Sequence, residues 1–289
     1  VSGAMAAKNY QLLEEAVSKF SAVLTDGGLL QIERLKAEEI TGSDGRAGVL
    51  ERYLFLLGAD ASGSVDTNVK TKSKAGIVAA DDRGSAQLRD IRLKPEWRIG
   101  DLSPELFTLA DARHLPATCG PRINYQAYAT DKTRFSVGFA APLGLLLPVP
   151  HLYSQYIKIQ DSQATFKRLE AKRKRLQSLS AYSRENSMAK EAVAGYLNEA
   201  IADNRRPVKA HFNLLTWAGD SSSGKINRNK IITAISQIGA IPYQESVAAP
   251  AVWWAGIPGN GQALPDNECF DSFLEQASCF LNMESVYRS

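Results

Sequence analysis

The amino-acid sequence predicts an α+β fold in which a mostly antiparallel or mixed sheet is covered by a long two-part helix. Three observations lead there. Asp161–Asn204 carries apolar residues at Phe166, Leu169, Leu176 and Leu179, then at Met188, Val193, Tyr196, Leu197, Ala200 and Ile201. That three-and-four spacing puts them on one helix face. The run then leads straight into a strand-like stretch, Val208–Trp217. Finally, the segments upstream read as sheet and loop, and those downstream as strand, helix and strand. This order suits helices packed on one face of a sheet, and a ferredoxin-like split β-α-β core is the expected topology.

As one straight helix, Asp161–Asn204 would be roughly 65 Å long at about 1.5 Å per residue, too long for one ordinary domain. Ser180, Ser183, Asn186 and Ser187 lie at its middle, and such side chains favour caps over helix interiors. Two helices with a break or strong bend near Ser180–Asn186 are therefore expected.

Ahead of this pair, Lys8–Leu24 reads as an amphipathic helix with Leu12, Leu13, Ala16, Val17, Phe20 and Leu24 on one side, closed by Gly27–Gly28. Leu29–Leu35 reads as a short strand, Ala37–Ile40 as a helical turn and Ala47–Leu57 as a helix. Gly58–Gly76 is rich in Gly, Ser, Thr, Asp and Lys and reads as a loop or linker. Strands follow at Leu88–Leu93, Leu106–Leu109, Arg134–Ala140 and Leu152–Ile159, with turns forced at Leu115-Pro116 and Gly120-Pro121. Beyond Trp217 come a polar loop, a helix at Asn227–Ile238 and strands at Ile241–Val247 and Val252–Ile257. A closing amphipathic helix is expected at Asp271–Met283. The implied organisation is a helical and strand subdomain over 1–57, a linker over 58–76, an α+β domain over 77–262 and a connecting helix over 263–289.

The chain has 289 residues, 44% hydrophobic and 22% charged, with a net charge of +3. These are the proportions of a globular protein, and so mild a charge does not by itself imply nucleic acid. The longest apolar run, Ala140–Val149, is interrupted by two prolines and is too short to span a bilayer. Val1–Ala7 lacks the pattern of a secretory signal. The chain does not begin with Met, so it reads as processed, tagged or a fragment. Three widely spaced cysteines, Cys119, Cys269 and Cys279, argue against a disulfide framework and for a reducing, cytoplasmic setting.

Several motifs bear on chemistry. Gly219-Asp220-Ser221-Ser222-Ser223-Gly224-Lys225 has the spacing of a phosphate-binding loop, yet Ile226 stands where a magnesium-ligating Ser or Thr is needed. Gly and Ser are also common in turns for conformational reasons. Lys167, Arg168, Lys172, Arg173, Lys174 and Arg175 concentrate positive charge on one helix, with Glu170 among them. Phosphate of nucleic acid or lipid, or an acidic protein, would suit that face. The commoner meaning of such a run is a solvated face paired with nearby acids. His114, His151 and His211 are isolated in sequence, and His114 with Cys119 lacks the companions of a metal site. Trp253 and Trp254, on a terminal strand, would point to opposite faces. The turn Pro258-Gly259-Asn260 would then fix where the chain leaves the sheet, and the outward indole would mark a docking surface. The residues alone give no catalytic set, no bound cofactor and no metal site.

The string Ala255-Gly-Ile-Pro-Gly-Asn260, with Phe270-Asp-Ser-Phe-Leu-Glu-Gln-Ala277 and Tyr287-Arg288-Ser289, resembles the TraG-type ATPases of conjugative transposons, members of the type IV secretion ATPase family. The resemblance continues in Leu109-Ala-Asp-Ala-Arg-His-Leu-Pro116, Cys119-Gly-Pro-Arg-Ile-Asn-Tyr125, Thr130-Asp-Lys-Thr-Arg-Phe-Ser-Val-Gly-Phe139, Leu176-Gln-Ser-Leu-Ser-Ala-Tyr-Ser-Arg-Glu-Asn186 and Pro207-Val-Lys-Ala-His-Phe-Asn213. It covers about Gly28 to Ser289. It implies a non-catalytic N-terminal region that docks on the inner-membrane platform and on neighbouring subunits at the cytoplasmic face. ATP and magnesium would belong to a motor domain beyond this chain, and self-association would belong to the full-length protein. Three functions are thus expected in descending order: a conjugation-ATPase interaction domain, a nucleic-acid or phosphate-contacting module using residues 167–175, and an independent nucleotide hydrolase using Gly219–Lys225.

Overall fold

A computed structural model describes residues 3–27, 33–43, 46–57, 89–124 and 135–282. Among them, those up to Glu51 form one unit, and Arg52–Leu57 with residues 89–282 form a second. The boundary expected between 57 and 58 thus falls near Arg52. The linker expected over Gly58–Gly76 and most of the strand expected at Leu29–Leu35 lie outside the described residues, and Glu33–Leu35 are not a strand.

In the first unit, α1 (Gly3–Asp26) is the expected amphipathic helix, extended at both ends. Arg34 pairs with Glu14 on its surface. Its apolar face is not covered: Leu13 is 58% and Phe20 65% exposed. The turn α2 (Ala37–Thr41) ends at Gly42, whose φ of 95° suits glycine. α3 (Val49–Leu54), shorter than expected, begins in the first unit and ends in the second.

The second unit is organised around β7 (Pro207–Ala218), buried almost from end to end. A strand covered on both faces reads as a continuous apolar run, which is why Val208–Trp217 was legible. β7 pairs antiparallel with β3 (Ser103–Leu109) on one side and β6 (His151–Ile159) on the other, and β3 pairs antiparallel with β8 (Tyr243–Glu245). The order β8-β3-β7-β6 is fourth, first, third, second among these strands, the order of a ferredoxin-like sheet. Where a helix usually joins the first two strands, the described residues here form short turns and a small pair, β4 (Arg122–Asn124) with β5 (Ser136–Gly138). A second small pair, β1 (Ile91–Arg92) with β2 (Arg98–Ile99), precedes the sheet; of the described part of the strand expected at Leu88–Leu93, only Ile91–Arg92 is strand.

Both sheet faces are covered, by different elements. On one face Phe107, Val208, Phe212 and Leu214 meet Ile231 and Ile235 of α6 (Ser221–Gln237), with Leu143 and Phe280 completing the layer. On the other, Leu106 and Leu215 meet Val252 and Trp253 of α7 (Ala249–Ala255). α7 corrects the strand expected at Val252–Ile257. A short apolar run does not distinguish a strand from a buried helix. Pro250 in the first turn favours the helix, and the Glu245 carboxylate accepts the Val247 and Ala248 N–H groups leading into it.

The helical pair forms as α4 (Ser162–Leu179) and α5 (Arg184–Ala202). The break falls where the serines are: Ser183 caps α5 by accepting from Glu185 N–H, and Asp161 caps α4 by accepting from Ala164 N–H. Neither helix contributes to the two core layers. Instead of covering the sheet, the pair is an arm packed mainly on itself through Leu169, Leu176 and Leu197. It is fixed at its base, where the Tyr196 ring stacks on Phe273 at 4.4 Å and its hydroxyl donates to Ser272 O.

Phe273 belongs to β9 (Phe270–Phe273), which pairs with Pro207–Ala210 of β7. The helix expected over Asp271–Met283 is therefore a strand followed only by α8 (Leu274–Ser278). Pairing with β7 and burial of Phe270 and Phe273 override a helical spacing that local pattern suggested. Residues 263–282 thus belong to the second unit instead of forming a separate connecting helix.

Candidate interaction surfaces

The six basic residues singled out in the sequence all lie on α4. Two are engaged: Arg173 pairs with Glu170 at 2.5 Å, and Arg168 reaches Asp271 at 3.3 Å. The hydrogen bond from Arg173 holds the Glu170 carboxyl below its usual range. Lys167, Lys172, Lys174 and Arg175 are exposed and make no ion pair among the described residues. A groove of about 600 Å³ separates the helices, lined by Phe166, Lys167, Glu170, Arg173, Leu197 and Ile201. At the end of the arm Tyr182 is 86%, Met188 60% and Leu179 42% exposed. An arm with a charged flank and an apolar tip suits docking, because the charges steer approach and the tip supplies area to bury.

The Trp253–Asn260 motif is resolved differently from expectation. Consecutive helical residues point about 100° apart, so one indole still enters the core while the other does not. Trp253 is 2% exposed and lies against Tyr53 and Trp97, with ring centroids 6.3 and 5.8 Å away. Trp254 is 54% exposed. Pro258-Gly259-Asn260 stops α7: Asn260 Nδ2 donates to Trp254 O, and Gly259 takes a φ of 90°. The chain does not leave the sheet there but runs back along it to β9.

Gly219–Lys225 is not a loop. Ser221 onward is the first turn of α6, and Gly224 and Lys225 are helical. Asp220 is the cap, accepting from both N–H and hydroxyl of Ser222 and Ser223. Those hydrogen bonds, Ser223's first, hold its carboxyl down at about 2. The free N–H groups that would cradle a phosphate are already met by a carboxylate, and its charge repels an anion. Replacing Asp220 by Ala is expected to lower the thermal midpoint by about 2–4 °C, checked by scanning calorimetry.

The histidines are dispersed. His114 stacks on Tyr243, and His151 Nδ1 bonds to Val149 O. Among the described residues no group of three His, Cys, Asp or Glu gathers to hold a metal. Cys119 lies beside Cys279; burial first, then that neighbour, raises its thiol to about 11, so it is protonated at neutral pH. His211, isolated in sequence like the other two, is fully buried beneath the segment leading to β9. Its Nδ1 donates to Glu268 O at 2.5 Å and its Nε2 accepts from Asn213 Nδ2 at 3.0 Å. Burial pushes it down to about 4, against the opposing pull of the Glu268 carbonyl. This neutral imidazole ties two segments together.

No protein-family model matches the chain, and no curated protein matches it. Among the described residues no helix is long and apolar enough to cross a membrane.

Proposed function

We propose that the chain is the non-catalytic N-terminal part of a TraG-type conjugative-transfer ATPase, docking at the cytoplasmic face of the inner membrane on the platform and on neighbouring subunits. The observation that carries this reading is the α4–α5 arm, built outside both core layers with Lys167, Lys172, Lys174 and Arg175 exposed and in no close ion pair among the described residues. A fold that needed the pair only for stability would bury its face on the sheet. The capped start of α6 supports assigning ATP and magnesium to a motor domain beyond Ser289 in the longer protein.

The test is a transfer assay with Lys167, Lys172, Lys174 and Arg175 all changed to Glu. Because these exposed side chains make no close ion pair among the described residues, the thermal midpoint should move by no more than about 2 °C. Transfer frequency should fall by at least about tenfold, the loss that removing about 1.4 kcal/mol of docking energy gives. Unchanged transfer by a folded variant would reject the arm as the docking element. The same four cations favour nucleic acid as the second reading. In that case the isolated chain would bind duplex DNA with affinity falling steeply with salt, and the slope would shrink by about one per cation reversed.

A further inference from the structure

A sheet edge raises a separate question from the arm: what meets the backbone groups it leaves open. Among the described residues β6 is that edge, pairing with β7 alone. Gln160 N–H donates to Pro207 O at 3.2 Å, which marks that pair as a hydrogen-bonded one. Residues of an antiparallel ladder alternate between bonded and non-bonded pairs. The register His151↔Thr216 through Ile159↔Val208 is unbroken. Hence the N–H and C=O groups of the odd-numbered residues, Tyr153, Gln155 and Ile157 among them, point away from β7. Among the described residues no hydrogen bond outside the ladder reaches the backbone of these three.

Such edges are commonly guarded by proline, a bulge or an outward lysine. The stretch Leu152–Ile157 has no proline, no bulge and no charge. The one lysine of the strand is turned aside, with Lys158 Nζ 3.4 Å from Leu264 O and 3.5 Å from Asp266. Along the C-terminal half of the edge runs a groove of about 630 Å³, walled by Gln155–Lys158 on one side and by Gly259, Gly261 and Gln262 on the other. A groove bordered by open backbone donors and acceptors fits an extended strand.

We propose that β6 pairs with β6 of a second copy of this chain, antiparallel and two-fold symmetric about Gln155. In that register Gln155 meets Gln155, and Tyr153 meets Ile157 of the second copy, so every outward residue faces another outward residue. Each such pair exchanges both backbone bonds, and Tyr with Ile is a favourable cross-strand pair. A two-fold axis normal to the sheet keeps the two sheets' corresponding faces on the same side. Each copy's Leu152–Gln155 then enters the other's groove beside the Gly259–Gln262 turn, so one patch serves both partners.

Sedimentation velocity from about 1 to about 200 µM should show a monomer–dimer equilibrium with a dissociation constant in the micromolar range. Gln155→Pro removes an outward N–H without removing a ladder bond; it should sediment as a monomer with an unchanged circular-dichroism spectrum. Ile157→Lys adds an edge charge and should weaken the dimer at least about tenfold, and it decides the matter if Gln155→Pro fails to fold. A wild-type chain that stays monomeric throughout overturns the proposal, as does a dimer that both folded variants retain. A monomeric wild type that binds a synthetic peptide of the His151–Ile159 sequence also overturns it, assigning the edge to a foreign strand.

Discussion

Trp253→Ala should destabilise the second unit by about 3–5 kcal/mol, the range for truncating a buried large aromatic. The indole is 2% exposed, stacked on Tyr53, tilted against Trp97 and packed with Leu106 and Leu215 of the sheet. It is the largest fully buried side chain on that face, and the Tyr53 hydroxyl, which donates to the Trp253 carbonyl at 2.7 Å, would hold the backbone in place and keep the cavity from collapsing. Trp254→Ala is the control. With its ring 54% exposed, that change should stay within about 1 kcal/mol. Urea denaturation of both variants measures the difference. Equal effects would mean that the two indoles do not occupy the inward and outward positions described.

The second large effect is a loss of stability in mild acid. The folded state holds His211 at about 4, whereas an unfolded histidine titrates near about 6.5. The unfolded chain therefore binds the proton first. The contribution of the neutral imidazole is complete above about pH 6.5 and is lost as pH falls toward about 4, roughly 3 kcal/mol in all and about 2 kcal/mol by pH 5. Glu268 opposes this in the lower part of the window: burial and the nearby Glu245 charge raise its carboxyl, so acid favours its folded form. Denaturant titrations at several pH values test the slope. His211→Gln should flatten it while lowering stability at pH 7, because Asn213 and the Glu268 carbonyl lose their partner. A wild-type profile flat between pH 7 and 5 would contradict the assignment.

Much of this fold was legible. β7 announced itself as an unbroken apolar run because it is covered on both faces, and the helical pair and its break followed from apolar spacing and Ser183. The order of the main strands followed the expected ferredoxin-like arrangement. What misled were segments whose state is set by distant partners. Phe270–Phe273 has helical spacing yet pairs with the end of β7, and Ala249–Ala255 is short enough for either state. The Asp220-Ser-Ser-Ser run is a helix-cap signature that coincides with the glycine spacing of a phosphate loop. Of the interaction residues, the basic face was plain in sequence. Its engagement was less so: Glu170 is a helix neighbour of Arg173, but Asp271 meets Arg168 only through the fold. That β6 is an edge could not be read at all, since edge status belongs to the topology and not to the strand.

We propose that this chain docks and does not hydrolyse nucleotide. Calorimetric titration with magnesium-ATP tests it most directly, comparing this chain with a longer protein that continues past Ser289. The account predicts binding by the longer protein and no saturable heat with this chain. Saturable binding by this chain, abolished by Lys225→Ala, would contradict it and make the start of α6 a nucleotide site.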